Sequence, residues 1–238
     1  WGSFSFGDLN EDGMINVLDS SIENGIKEFV LMSSSEVYQT PPVVPTDESV
    51  GLTIPNPLNP RYSYGGGKLI NELMLINYTP RHFDRSIIIR PHNVYGPDMG
   101  FEHVIPEFAL RMRELLSKET DQISFPIQGT GQESRAFVFI DDFIDGMILV
   151  MEHGTKQDIY NVGTTDEITI QYLAERIGLY YSRNVKIIPG KINKGGTSRR
   201  CPSINKLNNI GFSPKTKLDD GLAKTISWYH ANAHLCSV

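Results

Sequence analysis

DRSIIIRPHNVYGP, residues 84–97, is the stretch on which the fold of this chain turns. Its three consecutive isoleucines show no apolar-polar alternation, so it reads as a strand buried on both faces, and such strands belong to parallel sheets covered by helices. Upstream, KEFVLMSSS (27–35) reads as a second short buried strand ending in hydroxyls. It follows the helical pattern MINVLDSSIENGI (14–26), whose end is marked by Asn24 and Gly25. Between the two strands lie a proline-rich loop (40–60) and a second helical pattern, YSYGGGKLINELM (62–74). Helix-strand-helix-strand order implies a parallel α/β sheet with helices on both faces.

Downstream, VIPEFALRMRELLSK (104–118) reads as a helix and ISFPIQGTGQE (123–133) as a segment broken by turns. SRAFVFI (134–140) reads as a strand running into the helix DDFIDGMILVMEHG (141–154), and residues 158–182 as a strand and a helix capped by Thr169. The tail from Arg199 reads as a loop and two short helical segments. The expected organisation is a partial Rossmann-like sheet in residues 1–97, with a return strand and helix at 135–163, and a smaller α/β lobe made of 98–134 and 164–238.

The 238 residues suffice for one large domain or two modest ones, and 39% hydrophobic content with 10% aromatics is that of a globular chain. A net charge of -6 without blocks of like charge gives no reason to expect nucleic acid or an anionic membrane as partner. The longest apolar runs fall far short of a membrane span. Two distant cysteines, Cys201 and Cys236, fit a reducing compartment such as the cytoplasm better than a disulfide framework. His230 and His234 have helical metal spacing but no third ligand, so no metal is expected.

Within 62–74, Tyr64 and Lys68 stand one helical turn apart on the same face, with only glycine between them. An ammonium beside a phenol stabilises its phenolate, which makes a general base, and a nearby serine could pass protons between it and a substrate. The three glycines would leave the helix backbone bare for close approach of a flat cofactor ring or a sugar. Both SSSEVY (33–38) and RPHNVYGP (90–97) lie where strands of a parallel sheet end, the edge at which such sheets bind ligands.

SSSEVY, Tyr64-x-x-x-Lys68, RPHNVYGP, GTGQESRAFVFIDD (129–142) and RRCPSINKLNNIGFSP (199–214) follow one another as in the extended short-chain dehydrogenase/reductase family, the NAD-dependent sugar-nucleotide epimerases and dehydratases. The likeness runs from Asn10 nearly to the end. It implies Tyr64 as catalytic base with Lys68 as its partner, both also at the cofactor NAD. Ser34 matches the catalytic Ser or Thr, and Glu36 an acid-base residue. Pro91, His92, Ser33 and Asn10 match positions near the cofactor. Ser34, Ser35, Asn93, Arg135 and Arg200 match positions at a nucleoside diphosphate sugar, the arginines clamping its diphosphate. The implied reaction is epimerisation through a transient keto sugar. Dehydration and decarboxylation are the alternatives: many dehydratases of this resemblance have Asp-Glu where Ser35-Glu36 stands, but Ser-Glu also occurs in some dehydratases and glucuronate decarboxylases, as well as in epimerases. The resemblance also implies a homodimer formed partly through the Tyr-Lys helix, with Leu73 and Met74 on its apolar face.

Two departures qualify the likeness. The family's Gly-x-x-Gly-x-x-Gly loop, which holds the NAD pyrophosphate at a helix N-terminus, is absent, so the chain is expected to lack the first half of the nucleotide-binding sheet and to bind NAD poorly by itself. Ser203 stands where the family usually has Asp. A catalytically silent fragment that binds a nucleotide sugar or a partner protein is the rival reading from another class.

Overall fold

The computed structural model describes residues 6–116, 122–191 and 197–236, with residues 6–12 and 236 as backbone only. In chain order its elements are α1 (Phe6–Glu23), β1 (Glu28–Met32), α2 (Ser63–His82), β2 (Arg85–Pro91), β3 (Val94–Tyr95), α3 (Val104–Leu116), β4 (Gln122–Pro126), β5 (Ser134–Ala136) and β6 (Val138–Phe139). There follow α4 (Ile140–His153), β7 (Asp158–Val162), β8 (Glu167–Thr169), α5 (Ile170–Tyr180), β9 (Asn184–Ile188), β10 (Arg199–Arg200), α6 (Asn205–Asn208) and α7 (Leu218–Ala231). The chain divides into two compact units: the first holds residues up to His92, Phe143–Thr165 and Pro202–Ser213, and the second Asn93–Asp142, Asp166–Cys201 and the chain from Pro214 on.

In the first unit β1, β2 and β7 form a parallel sheet in that order, with Val30 opposite Ile87 and Ile88 opposite Ile159. Ser86 to Arg90 of β2 are buried without a break, as the isoleucine run predicts. Alternation along β2 sends Ile88 into a cluster with Met14 and Leu18 of α1, Leu31 of β1 and Leu75 of α2. On the other face Ile87 meets the end of α4, where a Cβ on Gly154 would lie 2.9 Å from its Cδ1. Helices therefore cover both faces, and this is what lets the central strand be apolar throughout.

In the second unit β10, β5 and β8 form one small sheet, β3 pairs with β6, and β4 with β9. Its core joins Ile105, Phe108 and Met112 of α3, Ile123 and Phe125 of β4, Leu173 and Ile177 of α5, and Leu222 and Ile226 of α7. This division differs from the one expected from sequence at residues 93–97, which belong to the second unit with β3, and at two further places. The strand 134–139 pairs only with β3, β8 and β10 and so belongs to the second unit. Residues 202–213 return to the first, held there by the Ser203 N–H donating to Thr46 O at 2.7 Å and by the ion pair of Lys206 with Asp158. Strands β9 and β10 have no counterpart in the sequence reading: the short alternation of NVKII, exposed and half-buried in turn, was overlooked, and two residues carry no period.

Among the described residues no helix is long and apolar enough to cross a membrane, and no group of three or more His, Cys, Asp or Glu side chains could hold a metal. Cys201 is a buried thiol, not in a disulfide, whose pKa burial pushes up to about 11, so little of it is thiolate at neutral pH.

The docking of α4 can be checked by mutation. A Cβ on Gly146 would stand 2.9 Å from Val162 Cγ1 and 3.0 Å from the Phe212 ring, neither able to yield without repacking, whereas one on Gly51 meets nothing within 4 Å. Gly146→Ala should destabilise by about 1–3 kcal/mol in urea unfolding, and Gly51→Ala should fall within about 0.5 kcal/mol of the parent.

Candidate active site

The site in the first unit is built where β1 ends. The Ser33 N–H donates to Ile89 O at 2.8 Å, extending the ladder one residue beyond β1. Ser34 is then extended (φ -160°, ψ 150°), and its hydroxyl accepts from the Glu36 N–H at 3.1 Å, capping a 3-10 turn over Ser35–Tyr38. That turn lies against the first turn of α2. A Cβ on Gly65 would sit 2.5 Å from Glu36 O and 2.3 Å from Gln39 Nε2. The bare backbone at Gly65 therefore receives the chain's own loop, which corrects the expectation that this surface was cleared for a cofactor ring or a sugar.

One turn further along α2, Lys68 Nζ donates to Met32 O at 3.1 Å and lies 5.9 Å from the centre of the Tyr64 ring. Burial lowers the pKa of this amine from the ordinary lysine value. Tyr64 is 45% exposed. Phenol and ammonium thus share one surface at the carboxyl end of a parallel strand, with the partly exposed Ser34 and Glu36 on the loop that Gly65 holds against the same helix.

Other expected residues are placed as follows. Ser35 is buried in the 3-10 turn, and Ser33 is buried with its hydroxyl donated to Glu72 Oε1 at 2.5 Å, so neither hydroxyl faces solvent. Pro91 ends β2 opposite Val162. The ring of His92 is buried and its Nε2 is bonded to Asn161 Oδ1 at 3.0 Å. Asn161 Nδ2 donates to the carbonyls of Thr46 and Ser203, which fixes Oδ1 as the acceptor and His92 Nε2 as the donor. The side chain of Asn10 lies outside the described residues.

In the second unit, Asn93 has a left-handed backbone (φ 42°), and its amide donates to Ala136 O at 3.0 Å. Arg135 and Arg200 are register partners on β5 and β10. Both reach Thr197, Arg135 Nη2 at its carbonyl (2.7 Å) and Arg200 Nη2 at its hydroxyl (3.3 Å). Like charges in register on neighbouring strands repel, a cost that an anion bound between them would reverse. Arg199, which alternation sends to the other face of β10, is instead paired with Glu167 at 2.8 Å.

The sequence reading overlooked a buried polar network behind the loop. Arg90 donates from Nε and Nη2 to both oxygens of Glu72 (2.9 and 2.6 Å) and from Nη1 to the Tyr38 hydroxyl (2.8 Å), which donates to Asn161 Oδ1 (2.8 Å). The available signals were a charge ending an isoleucine run and an acid one turn beyond Lys68 among apolar helix positions.

A doubly covered parallel sheet with a Tyr-x-x-x-Lys helix across the end of one strand defines a short-chain dehydrogenase-like nucleotide-binding α/β protein. The model of the NAD dependent epimerase/dehydratase family matches residues 5–163, and the chain belongs to that family. It is 29% identical over 223 residues to the probable GDP-L-fucose synthase 1 of Oryza sativa subsp. japonica (91% of this chain, 67% of that protein). It is 28% identical over 239 residues to the dTDP-D-glucose 4,6-dehydratase of Mus musculus (98% of this chain, 64% of that protein). The dTDP-glucose 4,6-dehydratase DesIV of Streptomyces venezuelae, solved with NAD and TYD bound, superposes with a TM-score of 0.80 at 26% identity, covering 96% of this chain and 67% of that one. The chain thus spans about two thirds of the length of these relatives.

Residues of the first unit fit the nicotinamide end of NAD, since an exposed phenol and a half-buried amine occupy one surface there. The Gly-x-x-Gly-x-x-Gly spacing of the pyrophosphate loop occurs nowhere in the 238 residues.

Gly65 and Gly66 should separate sharply on substitution. Gly66→Ala meets only Ile54 Cδ1 at 3.4 Å and should gain up to about 1 kcal/mol in helix propensity. Gly65→Ala must displace the 3-10 turn, and should lose about 1–3 kcal/mol by urea unfolding together with most of the turnover.

Proposed function

We propose that the protein carries out NAD-dependent epimerisation of a nucleoside diphosphate sugar. The observation that carries this reading is the amine of Lys68 anchored on Met32 O beside the exposed Tyr64. NAD, when bound, supplies the acceptor and later donor of a hydride, and Tyr64, Lys68 and the backbone at Pro91 and His92 are the residues that would hold it. The chain's own part is proton handling. Tyr64 takes the proton of a sugar hydroxyl, and the Lys68 ammonium stabilises the negative charge the phenol carries when it does so. The Ser34 hydroxyl, kept partly exposed by its capping geometry, hydrogen-bonds the same sugar oxygen, and Glu36 serves as the acid-base group at the rim. Arg135 and Arg200 take the diphosphate, with Asn93 alongside, an arrangement supported by two guanidinium groups held in register.

Dehydration is the second reading, favoured by the dehydratase relative matched over 98% of the chain. Against it, Ser35 is buried, so the position after Ser34 offers no second acid-base group to assist an elimination. The protein is proposed to act in the cytoplasm as a homodimer. Its apolar surface would come from Leu73 with Val17 and Ile70, 40–53% exposed, whereas Met74, expected beside Leu73, packs against the core cluster of Leu18, Leu31 and Leu75.

Offering the purified protein a panel of nucleotide sugars with NAD, and weighing the products, tests the reading. Unchanged mass with altered retention means epimerisation; loss of water or of carbon dioxide replaces it with dehydration or decarboxylation, and uptake of nucleotide sugar without turnover supports the silent reading. Tyr64→Phe should lower turnover by roughly 10²–10⁴-fold with little change in fold. Because burial disfavours the charged amine, Lys68 should lose its proton at a lower pH than a free lysine, so the alkaline limb of the rate profile should lie below 10.5. Inorganic pyrophosphate should stabilise the parent in thermal melts, and replacing Arg135 or Arg200 by Met should abolish that effect and raise the KM for the sugar nucleotide.

A further inference from the structure

The loop that carries Ser34 and Glu36 is fastened at both ends to one buried guanidinium. At its start, Ser33 Oγ donates to Glu72 Oε1, and Arg90 grips both oxygens of that carboxylate. At its end, the Tyr38 hydroxyl accepts from Arg90 Nη1, and the Tyr38 ring lies 4.8 Å from the guanidinium carbon. Ser33, Glu72 and Arg90 are each no more than 3% exposed, so water cannot substitute for a lost bond. Glu72 is also one helical turn beyond Lys68. Two successive turns of α2 therefore hold two successive residues of the strand end, Lys68 through Met32 O and Glu72 through the Ser33 hydroxyl. A helix sliding by one residue moves 1.5 Å, and a misplacement of about 1 Å is enough to cost a reaction roughly 10²-fold.

We infer that Ser33, Glu72 and Arg90 are positioning residues: they lock the register of α2 against the end of β1 and so set where Ser34 stands relative to Tyr64. None of them touches the reacting atoms. The inference rests on the proposed proton-handling role of Tyr64 and Ser34, and makes Ser33 more important for the loop it starts than for any contact of its own with NAD.

Ser33→Ala is the informative variant, since it cuts the tether while Glu72 keeps both bonds from Arg90 and no buried charge is orphaned. Breaking the ion pair itself would threaten folding. Two readouts are taken. In steady-state kinetics Ser33→Ala should lower kcat at least tenfold while leaving the KM for the sugar nucleotide within about twofold and the melting temperature within a few degrees. In competitive acetylation, followed peptide by peptide by mass spectrometry as a function of pH, the Lys68 amine should titrate higher in the variant than in the parent, because the loosened strand end no longer holds it in its half-buried place. A variant with parental kcat and unmoved Lys68 titration overturns the inference, and so does a fall in kcat with Lys68 unmoved. If the parent turns over none of the sugars offered, the functional reading fails, and the Lys68 titration alone decides the positioning role: a shift upholds it and no shift overturns it.

Discussion

The contact between α2 and the end of β1 governs everything else in the first unit. A helix can lie so close to a strand terminus only if its first turn has no side chains in the way, and the buried Gly65 satisfies this by accepting Glu36 O where a Cβ would be. With the helix that close, a lysine one turn on reaches a strand carbonyl and a glutamate one turn further reaches a serine hydroxyl. The helix propensity penalty of about 1 kcal/mol at Gly65 is thereby exchanged for a surface on which a phenol, an amine and a serine loop are fixed relative to one another.

Burial of the Glu72–Arg90 pair needs a physical reason, since desolvating two charges offsets most of their attraction. The reason lies in hydrogen-bond geometry. A guanidinium offers a rigid fork of donors, and here one side satisfies a carboxylate while another reaches a phenol across the loop. An apolar pair of equal volume would fill the space without fixing the two loop ends.

Much of this architecture was legible in the sequence because it is written in local patterns. The isoleucine run announces a strand covered on both faces, Thr169 caps α5 by accepting from the Tyr172 N–H, and the Tyr-Lys spacing puts both groups on one face. What escaped depends on distant partners. Nothing near Glu72 reveals that an arginine 18 residues away will meet it. Residues 134–139 read as a return strand of the main sheet, yet their pairing lies with β3, β8 and β10, and β-strand periodicity does not name a neighbour. The purpose of Gly65 was misread for the same reason: a bare backbone tells that something comes close, and only the folded chain tells that here it is the chain itself.

The two sets of proposed site residues are anchored by different means. Ser34 and Glu36 sit on a loop fastened into the core, whereas Asn93, Arg135 and Arg200 hang their side chains on backbone carbonyls and a threonine hydroxyl. Breaking the buried Glu72–Arg90 pair under the former would threaten the fold; side chains of the latter can change without unseating a buried charge. Under the proposed function, new substrate preferences are therefore most accessible to evolution through the second unit, while the proposed proton-transfer residues are constrained by contacts that also hold the first unit together.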